Sequence, residues 1–350
     1  MSKIIGLTFD LKSDRKTSPE DPIDVNAELD SMETIDFIIQ ALESGGHQVK
    51  KIGTVKNLLS QIKDLDVDIV FNICEGYFGR NRESEVPQIL EMYGIPFVGA
   101  DALTMGITLD KVIAKKCFIV HKIPTAPYFI AHNSNNLKKF NRIGYPLIVK
   151  PRFEGTSKGL TDKSRVENLE ELTRQVDIIT KRYKQPALIE KFIKGMEFTV
   201  AVLGNNPPQA MPVVQVAINK QLKLGNMIFT YECVVREQAV DYICPAKISK
   251  ALMRKLQDLA VRAYQSVDCR DFGRIDFRVD GKGRICVLEI NPLPSLAKKD
   301  VFNIFPYTMD STYNEIINQI LDYALERYGL KKQATSKDNS ALSATIPGKR

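Results

Sequence analysis

Short apolar stretches alternate with amphipathic segments along the first hundred residues. The stretches KIIGLTF, HQVKKI, DIVFNICEG and IPFVGA are interleaved with two helical patterns, SMETIDFIIQALESGG and SEVPQILEMYG. Strands that alternate with helices in this way predict a parallel sheet, and the run IVFNI is apolar on both faces, as a buried strand should be. Residues 1–102 are therefore predicted to form an α/β domain.

The pattern changes after residue 102. Residues 103–193 contain a helix, LDKVIAKKCFIVHK, then the short strands PTAPYFIA, YPLIVKPR and ALIEKFI and the long helix NLEELTRQVDIITKRY, which is typical of a small α+β lobe. Residues 194–330 add the strands EFTVAVLG and PVVQVAI, a helix, a hairpin and a last helix. A second α+β lobe is predicted there.

Composition limits the classes of protein that remain. A chain of 350 residues with 44% hydrophobic content can build two or three cores. No apolar stretch approaches the roughly 20 residues of a membrane helix, and no export signal is recognised. The six cysteines form no C-x-x-C pair and the three histidines stand apart from them, so neither a zinc site nor a disulfide framework is expected. A cytoplasmic protein without a membrane segment is predicted.

The net charge of +7 does not predict a nucleic-acid partner. Residues 331–350 contain five basic residues and one acidic residue, so the rest of the chain is nearly balanced. These last residues are rich in Ser, Thr, Lys and Asn and have no apolar period, which favours a disordered basic tail.

A hairpin near the C-terminus has one polar face on each strand, in GRIDFRVD and RICVLEINP. If residues 281–284 form the turn, Asp280 pairs with Ile285. Counting back then places Asp276 opposite Glu289 and, by the same register, Arg274 opposite Asn291.

Two carboxylates held roughly 5 Å apart repel each other unless a cation lies between them. With the neutral oxygen of Asn291 beside Asp276 and Glu289, the group suits Mg²⁺, which prefers oxygen ligands. The alternative is a solvated polar face on which Arg274 and Arg278 neutralise the two acids. This alternative stays open because a turn of three or five residues would break the register that places Asp276 opposite Glu289.

Two further segments carry weaker signals. Lys150 ends an apolar strand just before the Gly-containing turn EGTSKG, where an ammonium group and backbone N–H groups can meet an anion. The segment around Glu190, Lys191 and Glu197 offers carboxylate and backbone groups to a nucleotide. The alternative interpretations are that Lys150 is an ordinary lysine at a strand edge and that the second segment carries ordinary surface charge. The functional signal at Lys111 is weaker than either of these two.

Taken in order, several segments resemble the D-alanine:D-alanine ligase branch of the ATP-grasp superfamily. The resemblance covers residues 65–325 and includes GIPFVGA, LDK, YPLIVKPRFEGTSKG, LIEKFIKGMEFTVAVLG, YICPA and GRIDFRVDGKGRICVLEINPLPSL. It implies an ATP-grasp fold, in which an N-terminal α/β domain precedes two α+β lobes that clamp ATP.

The resemblance also implies roles for thirteen residues. Those implied to bind ATP are Lys111, Lys150, Gly155, Glu190, Lys191, Ile193 and Glu197. Those implied to bind one or two Mg²⁺ ions, for which Mn²⁺ can substitute, are Asp276, Glu289 and Asn291. Those implied to act in catalysis are Arg274, which stabilises the transition state, and the loop residues Thr156 and Ser157.

The reaction implied by the resemblance joins a carboxylate to an amine. The γ-phosphoryl group of ATP is transferred to the carboxylate, and the amine attacks the acyl phosphate, which leaves an amide with ADP and phosphate. Small amino-acid substrates and a homodimer are implied as well.

The chain departs from the family pattern where the amino acids bind. The N-terminal segment whose glutamate anchors the first amine is replaced, and Glu28, Asp30 and Glu33 are the remaining candidates. A loop lysine and tyrosine become Val234 and Val235, and a Gly and a Ser after EINPLP become Ser295 and Asp300.

Three functions therefore stay open: a D-alanine:D-alanine ligase or close dipeptide ligase, a ligase of the same mechanism with another acid and amine, and an inactive ATP-binding protein. The presence of Arg274 counts against the third, because a protein that only binds needs no transition-state arginine.

Overall fold

The computed structural model describes residues 2–236 and 239–331, which form three sheets with helices packed against them. The predicted tail, residues 331–350, lies outside the described residues apart from Lys331. Within the described ranges, no helix has both the length and the apolar character needed to cross a bilayer.

The first sheet is parallel, as predicted, with strand order β2-β1-β3-β4. All five residues of the run IVFNI are buried, which confirms a strand covered on both faces. The first helix begins after Ser31, whose side chain accepts a hydrogen bond from the Thr34 N–H. The elements are β1 (Ile4–Phe9), α1 (Met32–Ser44), β2 (Gln48–Gly53), α2 (Val55–Gln61), β3 (Ile69–Ile73), α3 (Glu85–Met92) and β4 (Phe97–Val98).

The second sheet is antiparallel and builds the predicted small lobe. Its order is β5-β8-β6-β7, from β5 (Tyr128–Ala131), β6 (Leu147–Pro151), β7 (Arg165–Val166) and β8 (Ala187–Lys191). Helix α6 (Leu169–Arg182) covers it. Leu172, Val176 and Ile179 lie at helical spacing on one face of α6, and their complete burial against Val149 and Ile189 forms the core of the lobe.

The third sheet has six strands and carries the C-terminal hairpin. The strands are β9 (Gly195–Leu203), β10 (Gln209–Ala210), β11 (Val214–Ile218), β12 (Val240–Ile243), β13 (Phe272–Asp280) and β14 (Ile285–Asn291), with α7 (Tyr231–Val235) before β12. The helices that pack on this sheet are α4 (Ala102–Leu109), α5 (Lys111–Val120) and α8 (Lys250–Gln265). Since α4 and α5 share this core, the segment that follows residue 102 packs with the third sheet. The boundaries after residues 102 and 193 stay predictions.

The last helix, α9 (Tyr313–Arg327), returns to the N-terminal domain. Its buried residues Ile316, Ile317 and Ile320 share one core with Ile38 of α1 and Phe272 of β13. This common core fixes the N-terminal sheet relative to the third sheet.

Asp271 connects three elements just before β13. Its fully buried carboxylate accepts hydrogen bonds from Arg327 of α9 at 2.7 and 3.1 Å and from the Gly99 N–H after β4 at 2.8 Å. Asn205 Nδ2 donates a further bond at 2.9 Å. A carboxylate can remain charged in such a position only with partners of this kind.

We expect Asp271→Ala to lower the free energy of unfolding by about 3–5 kcal/mol, because the Arg327 guanidinium would stay partly buried without its counter-charge. Urea unfolding measures this loss. The control is Lys51→Ala, which removes a half-exposed ion pair with Asp36 and should change little. Equal losses in the two variants would contradict a connecting role for Asp271.

Candidate active site between the two antiparallel sheets

One cavity lies where β6 and β8 of the second sheet meet β9, β13 and β14 of the third. Asn291 adjoins it, because its Nδ2 donates to Asp276 Oδ2 at 3.0 Å. The other twelve candidate residues line it directly: Lys111, Lys150, Gly155, Thr156, Ser157, Glu190, Lys191, Ile193, Glu197, Arg274, Asp276 and Glu289. The fold therefore gathers the thirteen residues to which the resemblance assigns roles.

The β13–β14 hairpin places the predicted metal ligands together. Asp276 lies opposite Glu289 and Arg274 lies opposite Asn291, as predicted. The predicted four-residue turn is wrong, however, because Ile285 pairs with Val279 rather than with Asp280.

The turn is tighter than predicted because Asp280 closes it. The Asp280 carboxylate accepts two N–H bonds from within the turn at 2.9 Å each, and Gly283 has the left-handed φ of +78° that three-residue hairpin loops need. The register then shifts at a β-bulge, where Leu288 is the extra residue. The two deviations cancel, and Asp276 still faces Glu289.

Internal cations hold both carboxylates of the hairpin. Arg274 donates to the two oxygens of Asp276 at 3.1 and 3.2 Å, and Lys111 Nζ lies 2.6 Å from Glu289 Oε2. Burial alone would raise the pKa of Glu289, but the ammonium groups of Lys111 and Lys150 outweigh burial and lower that pKa to about 2. Glu289 is therefore ionised at neutral pH.

These residues fit a hard divalent cation. Asp276 and Glu289 contribute carboxylate oxygens from opposed strand positions, and Asn291 adds an amide beside them. Oxygen donors of this kind are the ligands that Mg²⁺ prefers. In this structure, Lys111 supplies positive charge to Glu289 and Arg274 supplies it to Asp276, as such a cation would.

Glu190 lies between two lysines at the inner end of the cavity. It is 2% exposed, and its carboxylate oxygens lie 2.5 Å from Lys115 Nζ and 2.7 Å from Lys150 Nζ. Burial would raise the pKa of Glu190, but the two lysines together lower it. Lys115 was not among the predicted residues, although its position four residues after Lys111 on one helix is a usable signal.

Main-chain groups of β8 and the segment after it border the cavity. Lys191 donates its ammonium hydrogens to the carbonyl groups of Gly144 and Tyr145 at 3.0 and 2.8 Å, so its side chain fixes the local backbone. Glu197 accepts a bond from Arg278 at 2.9 Å, and the Ile193 carbonyl accepts another from Arg278 at 3.2 Å. Arg278 thus neutralises Glu197 rather than the hairpin carboxylates.

The comparisons with known proteins decide the family. The D-ala D-ala ligase C-terminus family model matches residues 121–322. The D-alanine–D-alanine ligase of Halalkalibacterium halodurans is 31% identical over 299 residues, which are 83% of this chain and 92% of that protein. The uncharacterised protein y4sG of Sinorhizobium fredii is 33% identical over 302 residues, 84% of this chain and 88% of that protein. The chain belongs to the D-alanine–D-alanine ligase family.

Solved structures of such ligases share the fold. The D-alanine–D-alanine ligase of Bacillus anthracis complexed with ATP has a TM-score of 0.73 at 20% identity and covers 94% of this chain and 99% of its own. The VanG D-Ala:D-Ser ligase of Enterococcus faecalis has a TM-score of 0.71 at 19% identity and covers 93% and 100%. The predicted ATP-grasp fold is confirmed, and so is the predicted enzyme class, an ATP-dependent carbon–nitrogen ligase.

The three N-terminal acids of the ligase have different surroundings. Glu33 is exposed in the first turn of α1, which removes it from the site. Glu28 is occupied by internal donors, namely Arg82 at 2.6 Å and Lys158 at 3.2 Å. Burial raises the pKa of Asp30 to about 7; Lys12 opposes the shift, whereas Asp300 and Asp10 add to it. Of the two acids that are not exposed, Asp30 is the one whose charge is less compensated.

Asp300 of the ligase stands beside the predicted catalytic arginine. Its Oδ1 lies 3.6 Å from Arg274 Nη1, and Asp276 takes the other side of the same guanidinium. The predicted site did not include Asp300, although its departure from the family pattern was visible. A second carboxylate at this arginine changes which charged groups the amino-acid end of the site can accept.

The low pKa of Glu289 generates a pH prediction. A folded pKa near 2 lies below the ordinary value near 4.5, so ionised Glu289 stabilises the fold above about pH 4.5 and that contribution disappears as the pH falls towards 2. Lys111→Met should therefore destabilise the protein most at neutral pH, and its difference from wild type should narrow between pH 5 and pH 2.5. Urea unfolding at several pH values measures the difference. A constant difference across this range would show that Lys111 acts by packing alone.

Proposed function

We propose that this ligase transfers the γ-phosphoryl group of ATP to the carboxylate of an amino acid and couples the acyl phosphate to the amine of a second one. The P–O bond to ADP breaks, and phosphate leaves as the amide bond forms and the amine loses a proton. One observation supports this above all: Arg274, the opposed acids Asp276 and Glu289, and Lys150 share one cavity.

The residues of the cavity have distinct roles in such a reaction. Lys111 and Lys150 hold phosphate oxygens, and Glu190 keeps Lys150 aimed at them through the contact at 2.7 Å. The main chain at Lys191 and Ile193 borders the adenine base, and the Glu197 carboxylate accepts hydrogen bonds from the ribose hydroxyl groups.

The metal ligands and Arg274 act on the negative charge of the phosphates and of the transition state. Asp276, Glu289 and Asn291 would hold one or two Mg²⁺ ions, for which Mn²⁺ could substitute. Bound magnesium neutralises the phosphates while their charge shifts. Arg274 stabilises the oxyanion of the tetrahedral transition state, and the loop of Gly155, Thr156 and Ser157 excludes water from the acyl phosphate. A homodimer and a cytoplasmic location stay predictions.

A specific observation favours an acceptor other than D-alanine. An α-carboxylate that approached Arg274 would meet the negative charge of Asp300, which already lies 3.6 Å from that guanidinium. Val234 and Val235 of α7 are 42% and 56% exposed, so they present apolar surface where the family pattern has a lysine and a tyrosine. A larger or less anionic amine fits these surroundings better than the zwitterion of D-alanine.

The contrast between Lys150 and Arg274 tests the proposed roles. Lys150→Ala should weaken ATP binding by about tenfold or more, because a charge-assisted hydrogen bond to phosphate contributes roughly 1.5–3 kcal/mol. Arg274→Ala should lower kcat much more than ATP affinity, since the charge it stabilises develops in the transition state. Calorimetric titration with ATP and steady-state kinetics separate the two effects. Unchanged ATP affinity in Lys150→Ala would refute its phosphate role.

The function is tested by ADP release across a panel of D- and L-amino-acid pairs with Mg²⁺. We expect release to require an amino acid, to stop with a chelator, and to respond weakly to D-alanine alone. A D-alanyl-D-alanine kcat/KM of about 10⁴ M⁻¹s⁻¹ or more would refute the altered acceptor. ATP binding without substrate-dependent ADP release for any pair would refute the ligase and support an ATP-binding protein.

A further inference from the structure

Asp24 of the N-terminal domain reaches into the small lobe. It is 3% exposed, and its Oδ2 accepts a bond from the Gly159 N–H at 2.6 Å. Both of its carboxylate oxygens lie 2.9 Å from the hydroxyl of Tyr183, the residue that ends α6. These contacts join positions 135 and 159 residues apart in the chain.

One of these contacts, at Gly159, falls on the loop of residues 153–159, which borders the nucleotide cavity. Gly159 has a φ of +78°, and a Cβ there would clash with the ring of Pro151, so this position of the loop requires glycine. A buried N–H that lost Asp24 would have to find another acceptor or remain unsatisfied. Asp24 is therefore suited to keep this end of the loop in place.

The tip of the loop is strained in its present form. Thr156 and Ser157 have left-handed φ values of +45° and +55°, a conformation that costs free energy for residues with side chains. Among residues 2–236 and 239–331, the structure gives their N–H groups no protein acceptor. A conformation that is strained and leaves donors open persists only if other contacts hold it.

We propose that Asp24 is a positioning residue, which holds the loop of residues 153–159 closed over the phosphates through Gly159 and Tyr183. The proposal rests on the nucleotide site of the proposed function and needs no assumption about the amino-acid substrates. Asp24 touches no reacting group. Its effect reaches the phosphates only through the backbone of Thr156 and Ser157.

The experiment compares Asp24→Ala, Asp24→Asn and Tyr183→Phe with wild type. Hydrogen exchange of residues 153–160 is measured with a non-hydrolysable ATP analogue and Mg²⁺ present, and KM is measured for ATP and for the amino acids. We expect Asp24→Ala to speed hydrogen exchange in the loop and to raise the KM for ATP by about tenfold, because the variant loses a hydrogen bond to a charged group. Asp24→Asn keeps an acceptor oxygen and should recover much of this loss. The KM values for the amino acids should stay unchanged.

Tyr264→Phe is the matched control for Tyr183→Phe. It also removes a hydrogen-bonded hydroxyl, which donates to the Gly204 carbonyl at 3.2 Å, but Tyr264 lies in the core under the third sheet. Loop exchange and a KM for ATP that are the same in Tyr183→Phe and Tyr264→Phe would overturn the proposal, and this comparison decides the matter if Asp24→Ala fails to fold. Loss of loop protection in Tyr183→Phe alone would support it. Because analogue binding needs no amino acid, a protein that fails to ligate any pair would refute the proposed function without affecting this result.

Discussion

Compensation of buried charge determines the geometry of this site. The carboxylates around the cavity are paired with cations: Asp276 and Asp300 with Arg274, Glu289 with Lys111, Glu190 with Lys115 and Lys150, Glu197 with Arg278, and Glu154 with Arg82 and Lys158. Arg274 and Asp276 lie on the same strand, but the partners of Glu289, Glu190 and Glu197 belong to other elements. An unpaired charge at such depth costs several kcal/mol. Helix α5 and strands of two sheets are consequently held in one arrangement, since moving any of them would separate a pair.

The β13–β14 hairpin shows how much of the pairing between strands a local sequence pattern can predict. Alternation of polar and apolar residues places Asp276 and Glu289 on polar faces, because side chains in a strand repeat every two residues. A register error of one residue would have turned one strand over. The tight turn that Asp280 closes and the bulge at Leu288 each shift the register by one, in opposite senses. The prediction of the facing pair was right although its route through a four-residue turn was wrong.

Contacts between distant segments explain what the sequence did not reveal. A lysine within an amphipathic helix reads as a solvated residue, yet Lys115 is 1% exposed because Glu190 lies beside it. Glu28 was one of three candidates for an amine anchor, and its contacts with Arg82 and Lys158, 54 and 130 residues away, show that its charge is already neutralised. No periodicity within either segment records such a pairing, since the partner belongs to another element.

The balance of these pairs bears on how a nucleotide enters. Lys111, Lys115, Lys150, Arg274 and Arg278 are each already paired with a carboxylate, so a triphosphate that binds Lys111 or Lys150 has to replace an existing partner. Under the proposed function, partners must therefore exchange. When Lys150 turns to phosphate, Lys115 still neutralises Glu190, which gives a physical reason for two lysines on one acid. When Lys111 turns to phosphate, Glu289 loses one of the two ammonium groups that lower its pKa, and a cation that arrives with the nucleotide would replace that charge. In this scheme the phosphate pairs with the lysine and the accompanying cation pairs with the carboxylate, so Glu190 and Glu289 each keep a partner of opposite charge.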